Sequence, residues 1–322
     1  YFDNTNLVRE QIKSLSWISL INWIPFFWCF WGFEPYLRES HRRIKISKLL
    51  VIGTIPVIIS GFFQYFFEIT GPFKLFNGLI IWYQQPISIT DGITGPFNNA
   101  NYAGSWLTLV FPFSIALLRL NKSKYEKFVI FLISLSFIFS ILLTNSRNSW
   151  IGMLISILIM LGFESILWII PSFVLISLIV TFILAFIPLS IRESLISFSP
   201  INIFNNFPDR STPLDIAFPR LAIWKFSIEE IFKRPFFGLG GGSFPFLYRI
   251  YNNAWFGHPH SIILEIAFSY GLLTAIILTS NIGNYLLKFY KLLIINSKNK
   301  LKKASLSFNF EKAWFSSILF LT

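Results

Sequence analysis

The sequence is poor in charged residues and almost without cysteine. Charged residues make up only 13% of the 322 residues, whereas 54% are hydrophobic; soluble domains carry about 25% charged residues. A water-soluble domain of this length does not have enough interior to bury so much apolar surface, so the composition excludes an ordinary soluble fold. The single cysteine, Cys29, lies inside an apolar run and excludes an internal disulfide.

The apolar residues occur in long runs, which predict transmembrane helices. A helix needs about 18–20 apolar residues to cross a bilayer, and the period-two alternation of a transmembrane barrel is missing. The predicted fold is all-α: a polytopic bundle of about 7–8 spans forming one integral membrane domain over residues 1–322. Seven spans are placed at residues 15–33, 48–68, 102–120, 128–143, 149–163, 166–188 and 261–287, and a further apolar stretch begins at Ala313. The chain starts without methionine and stops inside that stretch, so we interpret it as a fragment truncated at both ends.

Acidic residues are scarce, and the surplus of basic residues gives a net charge of +12. This charge does not indicate nucleic-acid binding, because the basic residues cluster after the first, third and seventh spans, at 38–48, 122–127 and 288–312. All three clusters fall on one side, which the positive-inside rule assigns to the cytoplasm. The opposite side receives the long polar segment 189–260, the predicted large outer loop.

Two other outer segments have readable local signals. Residues 69–101 are rich in glycine, proline and asparagine and predict turns, with Asn101 as the N-cap of the third span; a capped loop is the simpler interpretation. Within the large loop, an irregular stretch at 201–219 precedes a helix from Pro219 to Lys233. Its predicted apolar stripe, which either lies along the outer membrane face or packs on the bundle, consists of Leu221, Trp224, Ile228, Ile231 and Phe232.

Two arginines on the outer side are candidates for binding an anion. Arg220 is predicted on the apolar stripe of that helix, where a guanidinium is costly unless an anion meets it. Arg147 lies in the tight turn between the fourth and fifth spans, next to hydroxyl and amide side chains. Together they have the fork geometry that suits a diphosphate. The alternatives are a snorkelling Arg220, or one paired with Asp209 or Asp215, and an ordinary interfacial Arg147.

Two of the three histidines lie together at the start of the seventh span, at His258 and His260. With Pro259 in the first helical turn, His260 is expected at the helix N-terminus, whose dipole disfavours the imidazolium. A neutral imidazole is a competent general base, and His258 is expected to orient a substrate or cap the helix. A purely structural role for this pair is the alternative.

The segment from Gly238 to Ser243 is glycine-rich but lacks the Gly-Lys-Ser/Thr continuation of a nucleotide-binding loop. A flexible turn is one interpretation, and a backbone nest around Gly240 that contacts a diphosphate is the other. No group of cysteine, histidine and carboxylate residues has metal-ligand spacing, so neither a metal nor another cofactor is predicted.

The ordered motifs at these residues resemble the O-antigen ligase and O-antigen polymerase superfamily of bacterial envelope proteins. Three matches carry the resemblance: residues 144–147 before an apolar span, residues 220–244 as an arginine-headed helix followed by Arg-Pro-Phe-Phe-Gly-Leu-Gly, and residues 260–265 with Gly271 further on. Residues 98–101 are a weaker fourth match. The family histidine motif commonly reads His-Asn, whereas here it is His260-Ser261.

The resemblance implies an inverting, metal-independent glycosyl transfer at the periplasmic face of the bacterial inner membrane. The donor it implies is a glycan on undecaprenyl diphosphate, and the acceptor a glycan or lipid A-core hydroxyl. By position, Arg147 and Arg220 are expected to hold the diphosphate and His260 to be the catalytic base, with His258, Glu265, Asn101 and Gly240 around them. Because the superfamily includes cyanobacterial members once proposed as inorganic-carbon transporters, transport of a small anion such as bicarbonate is the alternative.

Overall fold

The computed structural model describes residues 4–87, 92–120, 123–162, 219–298 and 306–321, with the single positions 167, 171 and 175. The chain divides into two compact units. In the first unit the described residues are 4–38 and 219–288; in the second they are 39–162, with the gaps just given, and those from 289 onward. Apart from those single positions, the predicted span at 166–188 lies outside the described residues, as does the irregular stretch at 201–218.

The described part of the chain is mostly helical, as predicted. The first unit contains α1 (Asn4–Leu37), α6 (Pro219–Lys233), α7 (Phe244–Asn252), α8 (Ile262–Tyr270) and the beginning of α9 (Leu272–Lys298). The second unit contains α2 (Ser40–Phe67), α3 (Ala100–Leu118), α4 (Lys124–Leu143), α5 (Arg147–Leu161), α10 (Leu306–Leu321) and the end of α9. It also contains two short strands, β1 (Phe73–Leu75) and β2 (Ile80–Trp82).

Four of the described helices are long and apolar enough to cross a membrane. They are α2, α3, α4 and the Leu272–Ile295 part of α9; α5 is apolar but has only 15 residues. Length and composition therefore indicate a multi-pass membrane protein. The predicted first span lies within α1, which is not one of these four. The count of seven to eight spans and the periplasmic side of the large loop remain predictions.

Helix α3 is the centre of the second unit and packs against α2, α4, α5 and α10. Its buried aromatic side chains, Phe111 and Phe113, belong to an apolar core shared with these neighbours. Small residues allow close approach: a Cβ on Gly104 would collide with Ser149 of α5. Such contacts are typical of helix packing in membranes, where small residues bring backbones together.

Residues 69–101, which were predicted as turns, differ from the prediction in two details. Residues 73–82 form an antiparallel hairpin in which Phe73 pairs with Trp82, so the described fold is not purely helical; strands of three residues are too short to show a period of two. The N-cap of α3 is Asn99, whose side chain accepts hydrogen bonds from the N–H groups of Asn101 and Tyr102. Asn101 is therefore inside the first turn.

Helix α6 has the predicted ends, but the face that it packs against the protein differs from the predicted apolar stripe. The side chains that it buries are Ile223, Phe226, Ser227, Glu230 and Ile231, which face α8 and α7. Of the predicted stripe only Ile231 is buried, and Ile228 and Phe232 line an apolar groove of about 400 Å³ shared with α8 and α9. A helix with apolar residues on more than one face does not reveal from its own sequence which face meets protein.

The predicted span at 261–287 is two helices, because the chain breaks between Tyr270 and Leu272. Gly271 has φ +92° and ψ 161°, a conformation almost confined to glycine. An uninterrupted apolar run hides this break, since hydropathy does not report backbone dihedral angles. The candidate membrane span therefore begins at Leu272 and not at Ser261.

Candidate functional site

The two histidines lie in a turn, residues 257–261, that leads into α8. Ser261 is the N-cap of this helix, and its hydroxyl accepts a hydrogen bond from the N–H of Leu264. Pro259 therefore precedes the helix instead of occupying its first turn, which corrects the expectation. His260 is exposed and has a left-handed backbone with φ +55°; non-glycine residues rarely adopt this conformation.

His258 stabilises that backbone conformation and does not cap the helix. Its Nδ1 accepts a hydrogen bond from the N–H of His260 at 3.1 Å, and the two ring centroids lie 4.4 Å apart. An Nδ1 that accepts a hydrogen bond carries no proton, so a neutral His258 has its proton on Nε2. The second ring neighbour of His260 is Phe256, at 6.3 Å between centroids.

A tryptophan fastens this histidine turn to α6. The indole N–H of Trp224 donates a hydrogen bond to the carbonyl oxygen of Pro259 at 3.0 Å. Trp224 lies four residues after Arg220, so both side chains project from the same face of the helix. The hydrogen bond therefore holds the arginine-bearing end of α6 next to the two histidines. The sequence placed Trp224 on the apolar stripe, and no local signal reveals its partner carbonyl.

The charges around the turn favour neutral imidazoles. Partial burial, and then the positive charge of Arg220, lower the pKa of His258 below its usual range. For His260 the pKa is lowered by partial burial first, then by His258 and by Arg220. Since an ordinary histidine has a pKa of about 6.5, both rings are predominantly neutral at pH 7. The lone pair of His258 Nδ1 is engaged with the backbone, whereas a neutral His260 retains a ring-nitrogen lone pair that can accept a proton.

Arg220 is exposed in the structure, as are Leu221 and Trp224 of the predicted stripe. Its guanidinium makes no hydrogen bond or salt bridge to any residue that the structure describes. The two carboxylates considered as its partners, Asp209 and Asp215, lie outside the described residues. The described side chains of the site are thus a cation close enough to two imidazoles to lower their pKa values.

Arg147 belongs to the second unit and is the first residue of α5, where its side chain is exposed. The neighbouring hydroxyls are engaged elsewhere: Ser149 donates to Ser146 at 3.0 Å, and Thr144 donates to the carbonyl oxygen of Ile141 at 2.7 Å. These hydroxyls fix the turn rather than the guanidinium. Because Arg147 and Arg220 lie in different units, a joint diphosphate clamp remains a prediction.

The glycine-rich segment lies between α6 and α7 and is hydrogen-bonded to the end of α8. The N–H groups of Leu239 and Gly240 donate to the carbonyl oxygens of Phe268 and Ser269 at 2.8 and 3.0 Å, satisfying the free carbonyls at the end of α8. These two amides are therefore not available to a diphosphate, which disfavours the backbone nest. A Cβ on Gly240 would collide with Ser16 of α1, so this glycine has a packing role.

Glu265 lies in α8, one turn after the histidine turn. One carboxylate oxygen, Oε1, accepts a hydrogen bond from Ser269 at 3.2 Å. The other, Oε2, is buried and has no partner among the residues that the structure describes. Within the same described ranges, no group of three or more histidine, cysteine, aspartate or glutamate side chains is arranged to hold a metal ion.

Comparison with known families agrees with the sequence motifs. Residues 129–279 match the family model described as O-antigen ligase, which confirms the predicted resemblance to that superfamily. The matched range includes α5, the Pro219–Lys233 helix and the histidine turn, and it supports an enzyme of the ligase or glycosyltransferase kind. No curated protein matches the chain at a significant level.

Proposed function

We propose, from the match of residues 129–279 to the O-antigen ligase family, that this protein transfers a glycan from undecaprenyl diphosphate to an acceptor hydroxyl. The acceptor is a growing glycan or a lipid A-core, and the reaction takes place at the periplasmic face of the inner membrane. The family match gives no support to the alternative, transport of a small anion, and we do not propose it.

The observation that carries this proposal is the pairing of Arg220 with a neutral His260. An exposed guanidinium without a described counter-ion is suited to an anionic group of a substrate. The lowered pKa of His260 keeps its imidazole unprotonated, as a general base requires. A cation for the leaving group and a base for the nucleophile are the two groups that transfer from a diphosphate needs.

In the proposed reaction His260 removes the proton from the acceptor hydroxyl while its oxygen attacks the anomeric carbon. The new carbon–oxygen bond forms as the bond to the diphosphate breaks, and the electron pair leaves with the diphosphate oxygen. A single displacement of this kind inverts the anomeric centre. Arg220 and Arg147 stabilise the negative charge that develops on the leaving group, a role for which fixed cations are effective.

The roles of the remaining candidates follow from their contacts. His258 holds the backbone of His260 through its Nδ1. Glu265 offers one unpartnered oxygen close in sequence to the histidine turn, to which we assign an accessory role at the acceptor. Gly240 contributes through packing, and Asn101 through the first turn of α3.

Transfer by purified variants from a lipid-linked donor tests the proposal. We expect His260→Ala to lose about 10²–10⁴-fold in turnover and to retain donor binding, because the base does not contact the diphosphate. Arg220→Lys and Arg147→Lys should also transfer poorly, since a lysine lacks the planar fork. Arg249→Ala, which removes an exposed arginine of α7, is the matched control and should keep parental turnover. Parental turnover in His260→Ala, or loss of transfer by the parent in EDTA, would contradict the mechanism.

The proposed side of the membrane has its own test. Reporter fusions after Asn206 and after Asn299 should report opposite sides, periplasmic and cytoplasmic respectively. Activity of both reporters on one side would contradict the topology and the periplasmic site with it.

A further inference from the structure

Two phenylalanines in the segment between α6 and α7 are strongly exposed. Phe236 is 74% and Phe237 is 91% exposed, and Phe232 in the last turn of α6 is 71% exposed. Ile231 is buried and Pro235 and Gly238 are partly buried, so the segment is folded against the protein at these positions. Exposed aromatic side chains on a folded segment indicate a contact surface.

Hydrogen bonds fix this segment to the first residues of a candidate membrane span. The N–H of Leu272, where the Leu272–Ile295 span begins, donates to the carbonyl oxygen of Pro235 at 2.7 Å. The backbone of Phe236 also lies so close to Gly271 that a Cβ there would collide with it. The two phenylalanines are therefore held at the level where α9 begins, and they cannot fold away without breaking these contacts.

The charges beside the phenylalanines are basic. Lys233 is 63% exposed and Arg234 is exposed, immediately before the aromatic pair. The carboxylate in contact with them, Glu230, is buried and paired with Lys233. Aromatic side chains flanked by basic ones are typical of segments at the boundary between headgroups and acyl chains.

We propose that residues 232–237 form a membrane anchor, in which Phe232, Phe236 and Phe237 insert at the lipid headgroup boundary and Lys233 and Arg234 contact anionic headgroups. The occupant of this surface is the bilayer itself, since the anchor is continuous with the start of a membrane span. The inference does not depend on the proposed glycosyl transfer.

The anchor has a structural consequence for the histidine turn. Helix α8 has nine residues and is about 14 Å long at 1.5 Å per residue; it joins the anchored break at Gly271 to His260. Fixing the break at the membrane surface therefore restricts the distance between His260 and the bilayer to that length.

Depth-dependent quenching in the full chain tests the anchor. In a Cys29→Ser background, Phe237→Cys is labelled with an environment-sensitive fluorophore and reconstituted in nanodiscs of phosphatidylethanolamine and phosphatidylglycerol. We expect a blue-shifted emission, strong loss of emission with nitroxide near the headgroup, less loss with nitroxide deep in the acyl chains, and little loss with aqueous iodide. Lys225→Cys, at an exposed polar position of α6, is the matched control and should respond to iodide.

Three outcomes would overturn the anchor. Free access of iodide to the label at position 237 would place this surface in water. Equal lipid quenching at positions 225 and 237 would mean that no local anchor exists. Protection at 237 that appears only when two copies share one nanodisc would assign the surface to a second copy of the chain. Elution volume and thermal unfolding of each labelled protein, compared with the parent, show that the variants are folded.

Discussion

The hydrogen bond from Trp224 to Pro259 gives the sharpest test of how the site is assembled. Replacing Trp224 with phenylalanine keeps an aromatic ring on α6 but removes the indole donor, which lies 3.0 Å from the carbonyl oxygen of Pro259. Pro259 is buried, so its carbonyl oxygen loses a partner where water does not readily replace it. The change therefore loosens the contact between the histidine turn and α6 without touching either histidine.

The magnitude follows from the cost of that lost contact. A neutral hydrogen bond stabilises by about 0.5–1.5 kcal/mol, and leaving a buried carbonyl unsatisfied costs about 1–3 kcal/mol. A loss of about 1–2 kcal/mol shifts the population of the held turn roughly 5–30-fold. We expect kcat/KM of Trp224→Phe to fall by a similar factor, which is well short of the effect of removing a general base.

Nuclear magnetic resonance of ¹⁵N-labelled histidine provides a readout that does not depend on turnover. The chain has only three histidines, so the signals of His258 and His260 can be followed directly. Partial burial and the charge of Arg220 lower both pKa values in the parent; a loosened turn weakens these causes, so both pKa values should rise toward the ordinary range. Trp255→Phe, at a position that is 68% exposed, is the matched control and should leave both titrations unchanged.

Unchanged histidine titrations in Trp224→Phe, together with parental kcat/KM, would refute the reasoning, because the turn would then be held by other contacts. A shift of equal size in Trp255→Phe would refute it as well, since the effect would not be specific to the indole donor. If the titrations of His258 and His260 change while kcat/KM stays parental, the hydrogen bond from Trp224 does hold the turn, but the result counts against the catalytic role of His260.

Three further predictions concern other parts of the molecule. Because bound diphosphate offsets the charge of Arg220, the acid limb of kcat should lie at higher pH than that of kcat/KM, and the two pH profiles measure this; coincident limbs would contradict it. Gly271→Ala should lower thermal stability in detergent more than Gly162→Ala. Both glycines have nearly the same backbone angles, which cost an alanine about 1–3 kcal/mol, but of the two only Gly271 is in close contact with a neighbouring backbone. Equal losses of stability would contradict the contact. Gln64→Leu should lower the free energy of unfolding by about 1–3 kcal/mol, because the buried Oε1 of Gln64 accepts hydrogen bonds from the backbone N–H groups of Thr94 and Gly95 at 2.9 and 3.1 Å. An unchanged free energy in a denaturant titration would show that the loop does not need these hydrogen bonds.

The helix positions were predictable because their signals are local. The predicted spans at 48–68, 102–120, 128–143 and 149–163 correspond to α2, α3, α4 and α5, with shifted ends. The ends of the Pro219–Lys233 helix were also predicted, since proline is favoured in a first turn and a following proline ends a helix. Apolar runs and capping residues act within a few positions of each other, so one sequence is enough to read them.

The face of α6 and the break at Gly271 were not predictable in the same way. Both depend on residues distant in the chain: α6 buries the side that meets α8, and Gly271 is in contact with the backbone of Phe236. In a membrane protein, apolar residues face lipid as well as protein, so amphipathicity loses its usual information about the core. The resemblance included Gly271 among its motifs but did not indicate a helix break.

The site residues were predictable only as residue types at an expected place. The sequence indicated an arginine and a histidine pair at the mouth of an apolar run, and the structure places Arg220 near enough to lower both histidine pKa values. The sequence did not indicate that Nδ1 of His258 accepts a hydrogen bond from the backbone N–H of His260, because that bond depends on a left-handed conformation of His260. Arg147 lies in another unit, and its part in the site remains a prediction.

The electrostatics of the histidine turn suit a base that becomes stronger only when its substrate is present. In the free protein, partial burial and Arg220 both disfavour the imidazolium of His260, so the ring is neutral but holds a proton weakly. In the proposed mechanism a diphosphate binds at Arg220 and brings negative charge close to the same ring, and negative charge favours the protonated imidazole. The proton from the acceptor hydroxyl would then be accepted more favourably with donor bound than without it. We therefore propose that Arg220, which lowers the histidine pKa in the free site and would be neutralised by the donor, couples base strength to donor binding.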